Sequence, residues 1–172
     1  MILGMSLAAF TQFHVILSLV GIVAGIVVAF AMLNSRRMPA LTAIFLVTTV
    51  ATSITGFMLP FEAFGPPEIV GVISLVVLAA ALLALYVYKL AGPWRWIYVA
   101  CAMFALYLNV FVGVVQTFQK VPFFTALAPT QKEPPFAVAQ GIVLLVFIGL
   151  GIVAARKFRP AAPGPAFNTR PA

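Results

Sequence analysis

Residues 11–30, TQFHVILSLVGIVAGIVVAF, form a nearly continuous apolar run that contains the single histidine of the chain, His14. A helix of about 20 apolar residues crosses the roughly 30 Å hydrocarbon core of a bilayer. The whole composition points the same way, because 64% of the 172 residues are hydrophobic and only 8% are charged. Too little polar surface is left to cover a globule in water. The sequence therefore predicts an integral membrane protein.

The chain divides into five apolar runs of similar length, at residues 10–33, 40–59, 69–90, 96–118 and 136–155. A segment in lipid must hydrogen-bond its own backbone, so each run is predicted to be an α-helix. The expected fold is an all-α bundle of five transmembrane helices over residues 1–159. The first run is expected to be retained, because no Lys or Arg precedes it and it is longer than the core of a signal peptide. Residues 160–172, rich in proline and alanine, are predicted to be a disordered cytoplasmic tail.

The charged residues separate into two groups when the five runs are taken as membrane spans. One side receives eight of the ten Lys and Arg residues: Arg36, Arg37, Lys89, Arg95, Arg156, Lys157, Arg159 and Arg170. The other side receives the remaining two and all three carboxylates: Lys120, Lys132, Glu62, Glu68 and Glu133. Because Lys and Arg favour the cytoplasmic side, the N-terminus is predicted outside and the C-terminus inside. The net charge of +7 thus reflects topology and attraction to anionic lipid headgroups, and no nucleic-acid partner is expected.

Small residues form stripes along several of the predicted helices. At about 100° per residue, one strip of the first helix contains His14, Ser18, Gly21, Gly25 and Ala29. Stripes of this kind let a neighbouring helix approach closely. We therefore expect helix packing at Gly21, Gly25, Gly113 and Gly141.

Polar side chains from four predicted helices concentrate in the outer half of the membrane. With a rise of 1.5 Å per residue, His14, Gln116 and Gln140 lie at a common depth, and His14 is expected to face one of the two glutamines. Candidate ligand-binding residues in this layer are His14, Asn109, Gln116, Gln140, Ser53 and Thr52. Two interpretations stay open. The layer either holds helices together by hydrogen bonds, each worth about 0.6 kcal/mol, or forms a ligand site or pathway.

The sequence lacks the residues that several kinds of chemistry require. No carboxylate falls at mid-membrane depth, as a proton-coupled pump would require, and one histidine cannot supply bis-histidine haem ligation. Cys101 is the single cysteine, so neither an intramolecular disulfide nor a Cys-x-x-Cys motif can form. No metal-ligand spacing or nucleophile motif is present, and neither a metal nor a cofactor is expected. Quinone binding stays open, because it needs little more than a His or Gln donor and an apolar slot.

Four segments carry a resemblance to known proteins. They are HVILSLVGIVAGIVV (14–28), TSITGFMLPF (52–61), LYLNVFVGVVQTFQKVP (106–122) and ALAPTQKEPPFAVAQG (126–141). These segments resemble a family of small bacterial multi-pass integral membrane proteins with no assigned function. The resemblance implies a location in the bacterial inner membrane and carries over no activity and no functional residue.

Three functions are compatible with these observations. The first is a non-enzymatic accessory or assembly subunit, whose partners are the lipid bilayer and other membrane subunits or further copies of the chain. The second is a small-molecule binder or permease that uses the outer polar layer. The third is a quinone-linked redox subunit. A stoichiometric protein partner favours the first, and a bound small molecule favours the other two.

Overall fold

The computed structural model, which describes residues 1–60 and 64–160, consists of helices joined by short connections. The helices are α1 (Leu7–Leu33), α2 (Pro39–Met58), α3 (Pro66–Leu82), α4 (Trp94–Lys120), α5 (Pro122–Leu127) and α6 (Pro134–Lys157). All but the short α5 are long and apolar enough to cross a membrane, when α3 is taken with the helical turn that continues it. The predicted all-α, five-helix fold of a multi-pass membrane protein is thereby confirmed. The predicted disordered tail, apart from Pro160, lies outside the described residues.

Local sequence explains where the helices begin. A proline stands at the start of four of them: Pro39, Pro66, Pro122 and Pro134. Proline suits this position because its φ is already helical and its missing N–H would have no partner there. α1 begins instead after Ser6, whose Oγ accepts a hydrogen bond from the backbone N–H of Ala9 at 3.2 Å.

The connections divide the bundle into two ends. We call the end with the α1–α2 and α3–α4 connections the basic end, because Arg36, Arg37 and Lys89 lie there. We call the opposite end the carboxylate end, because Glu68 and Glu133 begin α3 and α6 there. The described carboxylates lie at one end, together with Lys120 and Lys132, and the other end carries Lys and Arg residues alone, as the sequence pattern indicates.

The backbone at the basic end contains several unusual conformations. α3 continues into a π-helical turn, Leu83–Val87. Lys89 and Leu90 follow this turn with φ of 50° and 61°, and Ser35 in the α1–α2 connection has φ of 55°. Left-handed backbone costs a residue with a side chain about 1–2 kcal/mol. The surrounding contacts must therefore hold these connections in place.

Glycines bring α1 close to two neighbouring helices. A Cβ atom built on Gly25 would lie 2.6 Å from Leu106 Cδ1 and 2.9 Å from the Phe45 ring. Both of these neighbours are only 1% exposed, so neither has room to move aside. A Cβ atom on Gly21 would lie 3.1 Å from Thr48 Oγ1. α1, α2 and α4 thus meet at a seam of the kind the glycine spacing predicts.

Gly113 and Gly141, the other two glycines predicted to pack closely, have more space around them than Gly21 and Gly25. A Cβ atom on Gly113 would lie 3.8 Å from Ile22 Cδ1, which is an ordinary contact. A Cβ atom on Gly141 would have no neighbour within 4 Å among the described residues. Close packing at Gly141 is therefore not what the structure shows, because open space lies over this glycine. A close approach that the sequence did not indicate occurs at Gly71, where a Cβ atom would lie 2.9 Å from the Phe57 ring.

α6 is the outermost of the five long helices. Its most apolar stretch has no buried residue, and Ala154 is the helix's one buried position. The basic end of α6 is held by Arg95, whose guanidinium donates to the carbonyl oxygens of Ala155 and Phe158. The chain after α6 is also tied down, because the N–H of Arg159 donates to Ser35 Oγ at 2.8 Å. α6 is thus held at its last turn, and it also contacts α4 nearer its start, where Phe136 packs against Phe118, and in its middle, where Phe147 packs against Tyr107.

Candidate functional site

A cavity of about 380 Å³ lies between α1, α2, α3 and α4, towards the carboxylate end. We call it the polar pocket. Its polar lining consists of His14, Ser18, Thr52, Ser53, Glu68, Ser74, Asn109 and Gln116. The remaining lining is glycine, proline and apolar side chains, including Phe57, Leu108 and Val112. The pocket thus combines hydrogen-bonding groups with apolar walls.

His14 is oriented by a hydrogen bond between α1 and α2. Its Nδ1 lies 2.8 Å from the hydroxyl oxygen of Thr55. The Thr55 hydroxyl has a single proton, which can go to the carbonyl oxygen of Ala51 at 2.7 Å or to Nδ1 of His14. When it goes to Ala51, Nδ1 donates to Thr55 and Nε2 is an acceptor; when it goes to Nδ1, Nε2 carries the N–H and is a donor. In both cases Nε2 is the ring nitrogen left for a further hydrogen bond.

The imidazole of His14 packs against the backbone of α2. A Cβ atom built on Gly56 would lie 3.5 Å from His14 Cε1. Together with the bond to Thr55, this contact fixes the ring from two sides. The histidine is therefore half-buried in the protein, and its position does not depend on lipid contacts.

Asn109 of α4 is bonded to α2. Its Nδ2 donates to Thr49 Oγ1 at 3.1 Å, and the Thr49 hydroxyl donates to the carbonyl oxygen of Phe45 at 2.7 Å. Gly21 of α1 faces both groups, since a Cβ atom there would lie 3.2 Å from Thr49 Oγ1 and 3.5 Å from Asn109 Nδ2. The bond to Thr49 occupies one of the two amide hydrogens and leaves the carbonyl oxygen of Asn109 unused.

Two hydroxyl residues of α2 line the pocket, and they differ in their hydrogen bonding. Ser53 donates to Ser74 Oγ at 3.1 Å or to the carbonyl oxygen of Thr49 at 3.0 Å. The Thr52 hydroxyl oxygen is buried without a hydrogen-bond partner among the described residues. A buried hydroxyl left unpaired costs about 1–3 kcal/mol, so Thr52 is a group that adhesion between helices does not explain.

The two candidate glutamines lie in different places. Gln116 is exposed and lines the polar pocket. Gln140 lies on α6, where its Nε2 donates to the carbonyl oxygen of Phe111 at 3.2 Å and its Oε1 is buried without a partner among the described residues. His14 was expected to pair with Gln116 or Gln140, but its hydrogen-bond partner in the structure is Thr55, and Gln116 lines the same cavity. Five of the six candidate residues therefore share one cavity, and Gln140 does not.

Three polar residues that line the pocket, Ser18, Glu68 and Ser74, and the His14 partner Thr55, which is not part of the lining, were not among the candidate ligand-binding residues. Ser74 is the one hydroxyl residue of α3 and is buried. It is an isolated polar residue in an otherwise apolar span, and this signal was present in the sequence. Glu68 was assigned to the charge pattern alone, but it lines the pocket and accepts a hydrogen bond from the N–H of Gly65 at 2.8 Å. Thr55 was missed because its angle on α2 lies off the strip shared by Thr52 and Ser53.

The pocket is suited to binding a polar group through hydrogen bonds. Within residues 1–60 and 64–160, no group of three or more His, Cys, Asp or Glu side chains is placed to hold a metal ion. The pocket instead offers the Nε2 atom of His14, the amides of Asn109 and Gln116, hydroxyl groups and the carboxyl group of Glu68. This set can form several hydrogen bonds to one molecule.

Comparisons with known proteins assign no family to this chain. Neither protein-family models, nor curated proteins, nor solved structures gave a match to it. The functional conclusion therefore rests on the residues of the polar pocket and their contacts.

Proposed function

We propose that the protein is a non-enzymatic multi-pass protein of the bacterial inner membrane that binds a small amphipathic molecule in the polar pocket. In the proposed orientation, with the N-terminus outside, the pocket lies in the outer half of the membrane. One observation carries the proposal. Polar side chains from four helices converge on a single cavity, and part of their hydrogen-bonding capacity is unused.

Adhesion between helices explains only some of these side chains. The bonds from His14 to Thr55 and from Asn109 to Thr49 each join two helices. Adhesion needs nothing further, and every additional unpaired polar group reduces stability. The Thr52 hydroxyl, which is buried without a partner among the described residues, is an additional group of this kind. A bound molecule that pairs with it supplies a reason for its presence.

The size and walls of the pocket indicate the class of ligand. A volume of about 380 Å³ falls within the roughly 300–1,000 Å³ that is usual for small-molecule sites. Apolar contact with Leu108 and Val112 favours a molecule with a hydrocarbon body, and the polar side chains favour a head that both donates and accepts hydrogen bonds. A quinone is one member of this class, because its ring is apolar and its carbonyl oxygens accept hydrogen bonds.

Native mass spectrometry of the protein purified from its own membrane tests the proposal. We expect a bound small molecule that is reduced in Gln116→Leu, whose substitution removes a polar group from the pocket. Gln119→Leu is the matched control, because Gln119 is exposed on the same helix and is not part of the pocket lining. Equal occupancy in the two variants would place the molecule elsewhere and contradict the proposal.

A second candidate function is that of an accessory or assembly subunit, and α6 favours it. Large apolar side chains are exposed along this helix, including Ile142 at 57% and Leu145 at 69%. A photo-crosslinking residue at position 145 is expected to capture another membrane subunit or a second copy of this chain. The control is position 76 on α3, where Val76 is 65% exposed. Crosslinks to lipid alone at both positions would remove this second function.

A further inference from the structure

A second cavity, of about 440 Å³, lies at the basic end of the bundle, away from the polar pocket. We call it the basic pocket. Its walls come from the last turns of α1, the start of α2, the π-helical turn after α3, the start of α4 and Phe158. The described residues thus form a cavity at each end of the bundle, and the two cavities have different linings.

Three cationic side chains line the basic pocket. Arg36 and Arg37 come from the α1–α2 connection, and Lys89 comes from the α3–α4 connection. Glu68 and Glu133, the carboxylates among the described residues, lie at the opposite end of the bundle. The positive charge of the basic pocket is therefore not balanced by a carboxylate from the described lining, and it favours an anion.

Strained backbone presents these cations to the cavity. Lys89 itself has φ of 50° and directly follows the π-helical turn, and Ser35 with φ of 55° directly precedes Arg36. The Ser35 conformation is supported by the bond that its Oγ accepts from the N–H of Arg159. Strained residues and π-helical turns concentrate at binding sites. Positive φ occurs in both connections that supply cations, but it also occurs at Leu3 and Gln131 outside this cavity, so the lining rather than the backbone indicates a ligand.

The apolar half of the lining shows what kind of anion fits. Val28 and Met32 of α1 and Leu85 of the π-helical turn line the same cavity as the three cations. Tyr86 and Tyr98 also line this cavity. A free inorganic anion would use only the charged part of this lining. An amphiphile with an anionic head and a hydrocarbon chain uses both parts.

We propose that the basic pocket is a binding site for an anionic phospholipid. The headgroup phosphate is held by Arg36, Arg37 and Lys89, and an acyl chain lies against Val28 and Met32. Basic cavities between transmembrane helices suit such headgroups, because guanidinium and ammonium groups donate several hydrogen bonds to phosphate oxygens. The site is separate from the polar pocket, so the proposal stands whether or not that pocket binds a ligand.

The test compares two variants that lose the same charge at the same end of the full-length protein. Arg36→Gln with Lys89→Gln removes two cations of the basic pocket. Arg156→Gln with Lys157→Gln removes two exposed cations of α6 that are not part of its lining. Binding of phosphatidylglycerol and phosphatidylcholine is measured by lipid titration in detergent with native mass spectrometry. We expect phosphatidylglycerol to bind tighter than phosphatidylcholine, and the pocket variant to lose about tenfold in affinity or more while the control loses less than about twofold.

A charge-conserving variant and a titration with inorganic phosphate complete the test. Lys89→Arg keeps the charge and is expected to keep the affinity, which separates loss of charge from loss of folding. Inorganic phosphate is titrated alone and in competition with the lipid, and it is expected to bind far more weakly because it has no acyl chain. Equal losses in the two double variants would overturn the proposal, as would equal affinity for the two lipids. Phosphate binding as tight as that of the lipid would assign the pocket to a soluble phosphate compound instead.

Discussion

The single histidine has a structural role and a ring nitrogen that is free for a further hydrogen bond. Nδ1 of His14 is used by the bond to Thr55, which connects α1 to α2. The ring also lies close to Gly56, where a Cβ atom would be 3.5 Å from it. These contacts leave Nε2 available on the other side of the ring. At the residue scale, the same side chain therefore stabilises the bundle and faces the polar pocket.

The bond between His14 and Thr55 can be measured with a double-mutant cycle. We expect His14→Leu and Thr55→Val to show a coupling energy of about 0.6 kcal/mol, and at most about 1.7 kcal/mol, as for other hydrogen bonds between membrane helices. His14→Gln is expected to keep most of the stability, because its amide N–H can donate to Thr55. Unfolding in detergent gives the free energies. Strictly additive effects would show that the two residues do not interact.

The position of His14 could be predicted from the sequence, but its partner could not. The helical period placed the histidine on the strip that contains Gly21 and Gly25, and this strip does face α2 and α4. The period gives the angle of a residue on its own helix. It does not give the crossing angle or offset of the neighbouring helix, and these determine that Thr55 is the residue within reach. The same limit explains why the expected partner of His14, Gln116 or Gln140, is not the residue to which it bonds.

At the scale of elements, α1 and α6 are similar in sequence character and different in packing. Both are long apolar helices with several glycines. α1 is inserted among its neighbours, with eight buried residues, whereas α6 has Ala154 alone. Composition does not separate the two, because a glycine can serve close packing or simply lie in an apolar span. Side chains on the facing helices, such as Phe45 and Leu106, decide which occurs.

Alanine substitutions at one glycine from each helix test this difference. Gly25→Ala is expected to lower the free energy of unfolding by about 1–3 kcal/mol, because its Cβ atom would overlap Leu106 and Phe45. Gly141→Ala is expected to be neutral, or to stabilise by up to about 1 kcal/mol through its helix propensity. Both values come from unfolding of the purified protein. Equal destabilisation at the two positions would contradict the packing described for α6.

Attachment of α6 through Arg95 gives a second prediction at this scale. Arg95→Leu removes the hydrogen bonds to the carbonyl oxygens of Ala155 and Phe158. We expect a loss of about 1.5–3 kcal/mol, as for other hydrogen bonds to charged groups. Arg156→Leu, at an exposed position of α6, is expected to change stability by no more than about 0.5 kcal/mol.

Hydrogen exchange locates the effect of the Arg95 substitution. Exchange is expected to rise more in α6 than in α2, because the lost bonds hold α6 against α4. A rise spread evenly over all helices would mean that Arg95 supports the whole bundle rather than one element.

At the scale of the whole molecule, the two ends differ in charge and in the cavities they contain. The basic end holds a cavity lined by cations, and the carboxylate end holds one lined by a histidine, hydroxyls and amides. The charge asymmetry could be predicted from the sequence alone, because charged residues in the connections follow the alternation of spans. The cavities could not, because each is formed by side chains from at least four segments far apart in the chain.

Membrane orientation can be tested with single cysteines in a Cys101→Ala background. Phe64→Cys and Ala126→Cys are expected to react with an impermeant thiol reagent in intact cells, and Met38→Cys and Ala91→Cys only after permeabilisation. All four positions are exposed, so burial does not prevent labelling. Labelling with the opposite pattern would invert the proposed orientation and place the polar pocket in the inner half of the membrane.

The outer position of α6 in the bundle has a consequence for how the protein is made. The residues that line the polar pocket end at Gln116, and α6 begins only at Pro134. Translation therefore delivers the complete lining of this pocket to the membrane before the last helix leaves the ribosome. A ligand present in the bilayer at that moment meets a pocket whose walls are already synthesised, and α6 joins from the outside without passing through it.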